Sequence, residues 1–143
     1  MKISDPWIAK EKFNNISKIE KKLDYDKWVE FIEQNLDYFI WLENTDRGKK
    51  TLADLSKIPE SFREGILKGH NRKQVLAEFN TKKGFHEVMV RFNQELNVIG
   101  TTFQKPITKK HVQILLDMAN YLDAYLLNNG TEIIDETFLE NMN

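Results

Sequence analysis

The chain has 143 residues, 41% of them hydrophobic and 30% charged, with a formal net charge of −1. That is ordinary globular usage and enough length for one substantial core, which predicts a single domain that folds without staples. There is no cysteine, so disulfide frameworks, thiolate nucleophiles and cysteine-based zinc sites are all excluded.

The first 26 residues are broken by a charge every few positions, so they lack the apolar run of a signal peptide, and no segment approaches the roughly 20 apolar residues of a membrane span. These features predict a cytoplasmic protein. The sequons at Asn15 and Asn129 then have no secretory context. Trp7, Ile8, Phe13, Ile16, Ile19 and Leu23 recur at mixed three and four spacings between lysines, which predicts an amphipathic helix over 5–22 opened by Asp5-Pro6. A second helix is expected at Trp28, Phe31 and Ile32, capped by Asp24 or Asp26. Residues 37–42, DYFIWL, are short and aromatic and predict a strand ended by a turn over 44–48.

Residues 49–57 and 61–68 predict two short helices divided at Pro59, whose ring disfavours helical backbone in Ile58. The stretch 84–103, GFHEVMVRFNQELNVIGTTF, satisfies both a helical and a period-two pattern. Val98, Ile99, Thr101, Thr102 and Phe103 are stiff at the first rotamer and favour strand. A lone strand needs neighbours, and 73–80 and 84–92 supply them across a loop ending in Gly84. Residues 108–128 predict a long helix opened by Thr108 and closed by a left-handed Gly130, with Leu115, Ala119, Leu122 and Leu126 buried. Its apolar arc of about 200° exceeds what one sheet contact uses. The excess requires the N-terminal helices or a second copy in a homodimer. Residues 131–134 predict a strand or extended arm, and 136–142 a final helical turn or two. The expected fold class is α+β: an antiparallel sheet, a meander of three to five strands, packed against a long C-terminal helix. Residues 1–36 form N-terminal helices and 37–143 the α+β core.

Chemical motifs are absent. Gly48-Lys49-Lys50-Thr51 resembles the end of a phosphate loop, but Glu43 stands where the required glycine would be. His70, His86 and His111 do not form the closely spaced pair of a helical zinc site. Carboxylate pairs such as Asp117 with Asp123 show no opposed environments, and the few serines have no nucleophile-elbow context. No enzyme activity, cofactor or metal is expected.

Charge supplies the functional lead. Residues 24–46 hold seven acids against Lys27 alone, and 111–143 hold six acids and no Lys or Arg, whereas 47–110 hold fourteen basic residues against six acidic ones. The near-neutral total therefore conceals opposed blocks. The first acidic block is interleaved with Tyr25, Trp28, Phe31, Tyr38, Phe39 and Trp41, and aromatic anchors ringed by charge resemble the energetic centres of interfaces. The expected function is an intracellular protein-binding module of inhibitor or immunity type that neutralises a basic partner such as a toxin. Its binding face would comprise Asp24, Asp26, Trp28, Glu30, Glu33, Asp37, Trp41 and Glu43. One alternative is a nucleic-acid binder using Arg47, Lys49, Lys50, Lys82, Lys83, Lys105, Lys109 and Lys110, which the acidic C-terminal third opposes. Another is a small-ligand or enzyme domain without a recognisable motif.

Overall fold

A computed structural model describes residues 2–69 and 71–142. His70 lies outside them. Among the described residues seven antiparallel strands form one sheet: β1 (Pro6–Ala9), β2 (Ile40–Trp41), β3 (Gln74–Asn80), β4 (Phe85–Asn93), β5 (Val98–Phe103), β6 (Tyr125–Asn128) and β7 (Glu132–Ile134), in the spatial order β2-β3-β4-β5-β1-β6-β7. Five helices accompany them among the described residues: α1 (Tyr25–Glu33), α2 (Asp46–Ala53), α3 (Glu60–Gly69), α4 (Lys109–Tyr121) and α5 (Glu136–Glu140). The class is α+β, with a wider sheet and a shorter α4 than the sequence predicts.

The hairpin over 73–103 forms as the period-two pattern demands. Val75 pairs with Val90 and Ala77 with Val88, and β5 continues the meander with Phe92 opposite Ile99. These residues share the sheet face that α1, α4 and α5 cover, and with Ile8, Leu126 and Ile134 they form the main core. Leu115, Ala119, Leu122 and Leu126 are all buried.

The N-terminal helix over 5–22 does not form. Pro6–Ala9 is instead a strand inserted between β5 and β6, pairing Trp7 with Gly100 on one side and Leu127 on the other. Ile8 faces the main core, whereas Ala9 joins Ile19, Val98 and Leu127 in a second cluster on the opposite face, with Trp7, Phe13 and Ile16 packed against it. A strand buried on both faces carries a continuous apolar run rather than an alternation. The spacing of Phe13, Ile16 and Ile19 reflects an irregular segment laid across that second face, with one 3-10 turn at Ile16–Lys18 capped by Asn15.

The helix predicted over 108–128 stops at Tyr121. Asp123 adopts φ 52°, its N–H donates to the Asn120 carbonyl at 3.1 Å, and Ala124 N–H donates to the Ala119 carbonyl at 2.9 Å. That is the paired bonding of a Schellman cap with aspartate where glycine is usual, which is why the stop is hard to see in the sequence. Gly130 (φ 81°) serves a different element. With Asn129 (φ 55°) it lies in the three-residue connection 129–131 between β6 and β7, where Asn128 pairs with Glu132 and Thr131 N–H donates to the Asn128 carbonyl at 3.3 Å, and Asn-Gly suits two successive positive φ values. The excess apolar arc of α4 is covered within the chain by α1 and α5, which include Phe31 against Tyr121.

Residues 44–48 are not a simple turn. Thr45 caps α2 by accepting Gly48 N–H at 2.9 Å, and its hydroxyl donates to the Leu42 carbonyl at 2.7 Å. Among the described residues no helix is long and apolar enough to cross a membrane.

Candidate functional site

Asp24 caps α1 by accepting Lys27 N–H at 3.2 Å, and the amphipathic spacing of the helix turns Trp28, Phe31 and Ile32 inward. Asp26, Glu30 and Glu33 are left on the exposed side, and Asp37 is exposed just beyond the helix. Tyr121 of α4 joins the two helices: its hydroxyl donates to Glu30 Oε2 at 3.1 Å and accepts from Gln34 Nε2 at 3.3 Å. On the α4 side Gln113, Asp117, Asn120 and Asp123 are exposed, and Glu136 of α5 accepts Asn120 Nδ2 at 2.9 Å. The two acidic blocks of the sequence therefore meet across the α1–α4 contact on one helical layer.

The opposed charge blocks do not cancel one another there. Among the described residues Arg72 is the one cation ion-paired with an acid of 24–46, reaching Glu33 at 3.2 Å. Its backbone N–H also donates to Glu43 Oε1 at 3.1 Å, and its guanidinium lies over the Trp41 ring at 5.6 Å. Lys49 and Lys50 make no ion pair among the described residues, and Arg63 spends its donors on the Ile58 and Ser56 carbonyls.

Trp28 and Trp41 do not serve as exposed anchors. Trp28 is 0% exposed and Trp41 is 2% exposed. Their rings meet edge-on at 5.6 Å, and Trp28 also contacts Phe92 and Tyr25. The aromatic density of 24–46 thus fills the core where α1 crosses β2, β3 and β4. Glu43 is half-buried, and its Oε2 and the Trp28 indole nitrogen are both buried without a hydrogen-bond partner among the described residues. The apolar residue that the acidic segment does expose is Leu36, 48% accessible beside Asp37; nothing in its sequence context distinguishes it from a core position at helical spacing.

A second polar cluster has no counterpart in the sequence reading. Glu78 sits within β3 at φ 56°, a left-handed conformation that costs a non-glycine residue energy. Its carboxylate accepts from Tyr38 Oη, from Lys105 Nζ at 2.9 Å and from His111 Nε2 at 2.6 Å. Lys105 also reaches Glu87 on β4 at 3.6 Å. Burial pushes the Glu78 carboxyl up, but its three donors outweigh that and hold it at about 2. Burial, with the hydrogen bond to Glu78 added, raises the Tyr38 hydroxyl, and the hydrogen bond to Glu78 raises Lys105. Thr108 N–H donates to His111 Nδ1 at 2.9 Å, which fixes Nε2 as the nitrogen donating to Glu78. Both ring nitrogens are engaged, so His111 has none to offer a substrate. The cluster fastens β3, β4 and the segment before β2 to the first turn of α4.

Burial lowers His86. Among the described residues no group of His, Asp and Glu is arranged to hold a metal ion. Comparison with protein-family models, with curated proteins and with solved structures finds no match.

Proposed function

We propose that the protein is a binding module of inhibitor or immunity type whose acidic α1–α4 layer covers a basic surface of a partner protein such as a toxin. The observation that carries this reading is the convergence of Asp26, Glu30, Glu33, Asp37 and Asp117 on one exposed layer that holds a single ion pair among the described residues. Carboxylates so placed repel one another in the free protein and are relieved when a cationic surface covers them. Such a field chiefly accelerates encounter. Leu36 takes the anchoring role that the sequence suggested for Trp28.

The basic residues favour a nucleic-acid reading less. Lys105 is committed to Glu78 and Glu87, and Lys82, Lys83, Lys109, Lys110, Lys49 and Lys50 are spread over the β3–β4 turn, α4 and α2.

The experiment places a photo-crosslinking residue at Gln34 or Gln113, identifies the captured protein, and measures its association with the wild type and with the Glu30→Lys, Glu33→Lys double variant. Association that slows at least tenfold in the variant, and that slows similarly in the wild type between low and moderate salt, is the expected result. An association rate indifferent to both changes rejects this face. Retention of the wild type on heparin beyond moderate salt would select nucleic acid instead.

A further inference from the structure

The face of the sheet turned away from α1 and α4 is covered unequally. Over β5, β1 and β6 the irregular segment 10–22 lays Phe13, Ile16 and Ile19 against Ala9, Val98 and Leu127. Over β2, β3 and β4 the covering among the described residues comes from the 42–51 segment and Ile66, and it is incomplete. A groove of about 980 Å³ opens there between the sheet and the α2–α3 segment, with Leu76, Met89, Ile40 and Phe85 on its strand side and Leu42 and Ile66 among its other walls. Half of one sheet face is thus plugged by the chain and half borders an open groove, although an apolar sheet face ordinarily requires a closely packed second layer.

Shape and charge distinguish what fits. The groove is walled on one side by α2 and by Ile66 of α3 rather than flat, and its volume is at the upper end of small-molecule sites, roughly 300–1,000 Å³. Among the described residues three charged ones line it: Asp46, Arg47 and Glu87. Glu87 is paired with Lys105 at 3.6 Å, and Asp46 lies in the first turn of α2, where a carboxylate complements the helix dipole. The Arg47 guanidinium has no ion pair or hydrogen bond among the described residues. Gln74, His86 and Gln104 add uncharged polar groups. α3 carries Phe62, 64% exposed, one turn before Ile66.

We propose that this groove binds a small amphipathic anion, its apolar body lying on Leu76, Met89 and Phe85 and its head group meeting Arg47. The site is on the sheet face opposite the acidic layer, so it stands or falls independently of the protein-binding reading.

The test is titration of the 15N-labelled protein with decanoate and, separately, with decanol. Expected are amide shifts confined to the neighbourhood of Leu76, Phe85, Met89 and Thr102, and decanoate bound about tenfold more tightly than decanol, as one charge-assisted hydrogen bond implies. Arg47→Gln, an exposed substitution, should erase that preference while leaving decanol binding unchanged, and Met89→Lys should abolish both. Should Met89→Lys fail to fold, Arg47→Gln alone decides. The proposal is overturned by the absence of shifts, by shifts centred on Lys82 and Lys83, by equal affinity for acid and alcohol in the wild type, or by sedimentation showing that a second copy already covers the groove.

Discussion

The carboxylate of Glu78 accepts Nε2–H of His111 at 2.6 Å, tying the kink in β3 to the first turn of α4 across 33 residues of sequence. Glu78 lies between the Ala77–Val88 and Phe79–His86 pairs, opposite Glu87. Two carboxylates facing one another across a ladder repel. The left-handed backbone at Glu78 accompanies a side chain engaged by Tyr38, Lys105 and His111, and Lys105 bridges both acids.

Acid stability follows from that arrangement. The Glu78 carboxyl is held at about 2 against an ordinary 4.5, so its contribution is fully present above pH 4.5 and is lost as pH falls toward 2. The full difference is worth about 3 kcal/mol at most. Urea unfolding at pH 7, 4 and 3 should show a loss that Glu78→Gln lacks, the variant being less stable at pH 7 and converging on the wild type in acid. Parallel pH profiles for the two proteins would remove Glu78 from this role.

Gly48 is a helix residue for which alanine should be worse. An added Cβ would stand 1.8 Å from the Leu42 carbonyl oxygen, a backbone atom that cannot turn aside. Helix propensity alone predicts that Gly48→Ala stabilises by about 1 kcal/mol; the contact predicts a loss of more than about 2 kcal/mol. The sign of the change in urea midpoint separates the two.

At Asp123 the opposite change helps. Its φ of 52° at the α4 cap is a conformation that glycine adopts without penalty. Asp123→Gly should stabilise by roughly 0.5–1 kcal/mol and raise the melting midpoint by about 2–4 °C. A lower midpoint would mean that the carboxylate is held by something other than the cap.

Trp28 separates core from interface. With the ring 0% exposed, Trp28→Ala should cost about 3–5 kcal/mol in unfolding experiments. Leu36→Ala, at an exposed position, should change stability by less than about 0.5 kcal/mol. If Leu36 anchors the partner, that variant should instead speed dissociation of the captured complex, which surface plasmon resonance measures directly.

What the sequence determined by itself was local. Stiff side chains, period two and a loop of hairpin length specify β3, β4 and β5, because those strands pair with neighbours only a few residues away. Asp24 and the Trp28–Phe31–Ile32 spacing likewise specify α1 and its buried face. The clustering of acids in two blocks was also visible, though their meeting on one layer was not, since it depends on Tyr121 joining helices whose contact residues lie about 90 positions apart. Tertiary structure alone decided the role of the N-terminus: Pro6–Ala9 has no local partner, and β5 and β6, which pair with it, lie roughly 90 to 120 residues downstream. It also decided that the tryptophans of the acidic block go inward, because the same apolar period serves an anchor or a core until the surface it meets is known. Asp123 stopping α4, and Asn129-Gly130 then turning the chain from β6 into β7, complete the difference. A four-residue strand is stabilised by the ladders on its two sides, and those ladders exist only once the whole sheet has assembled.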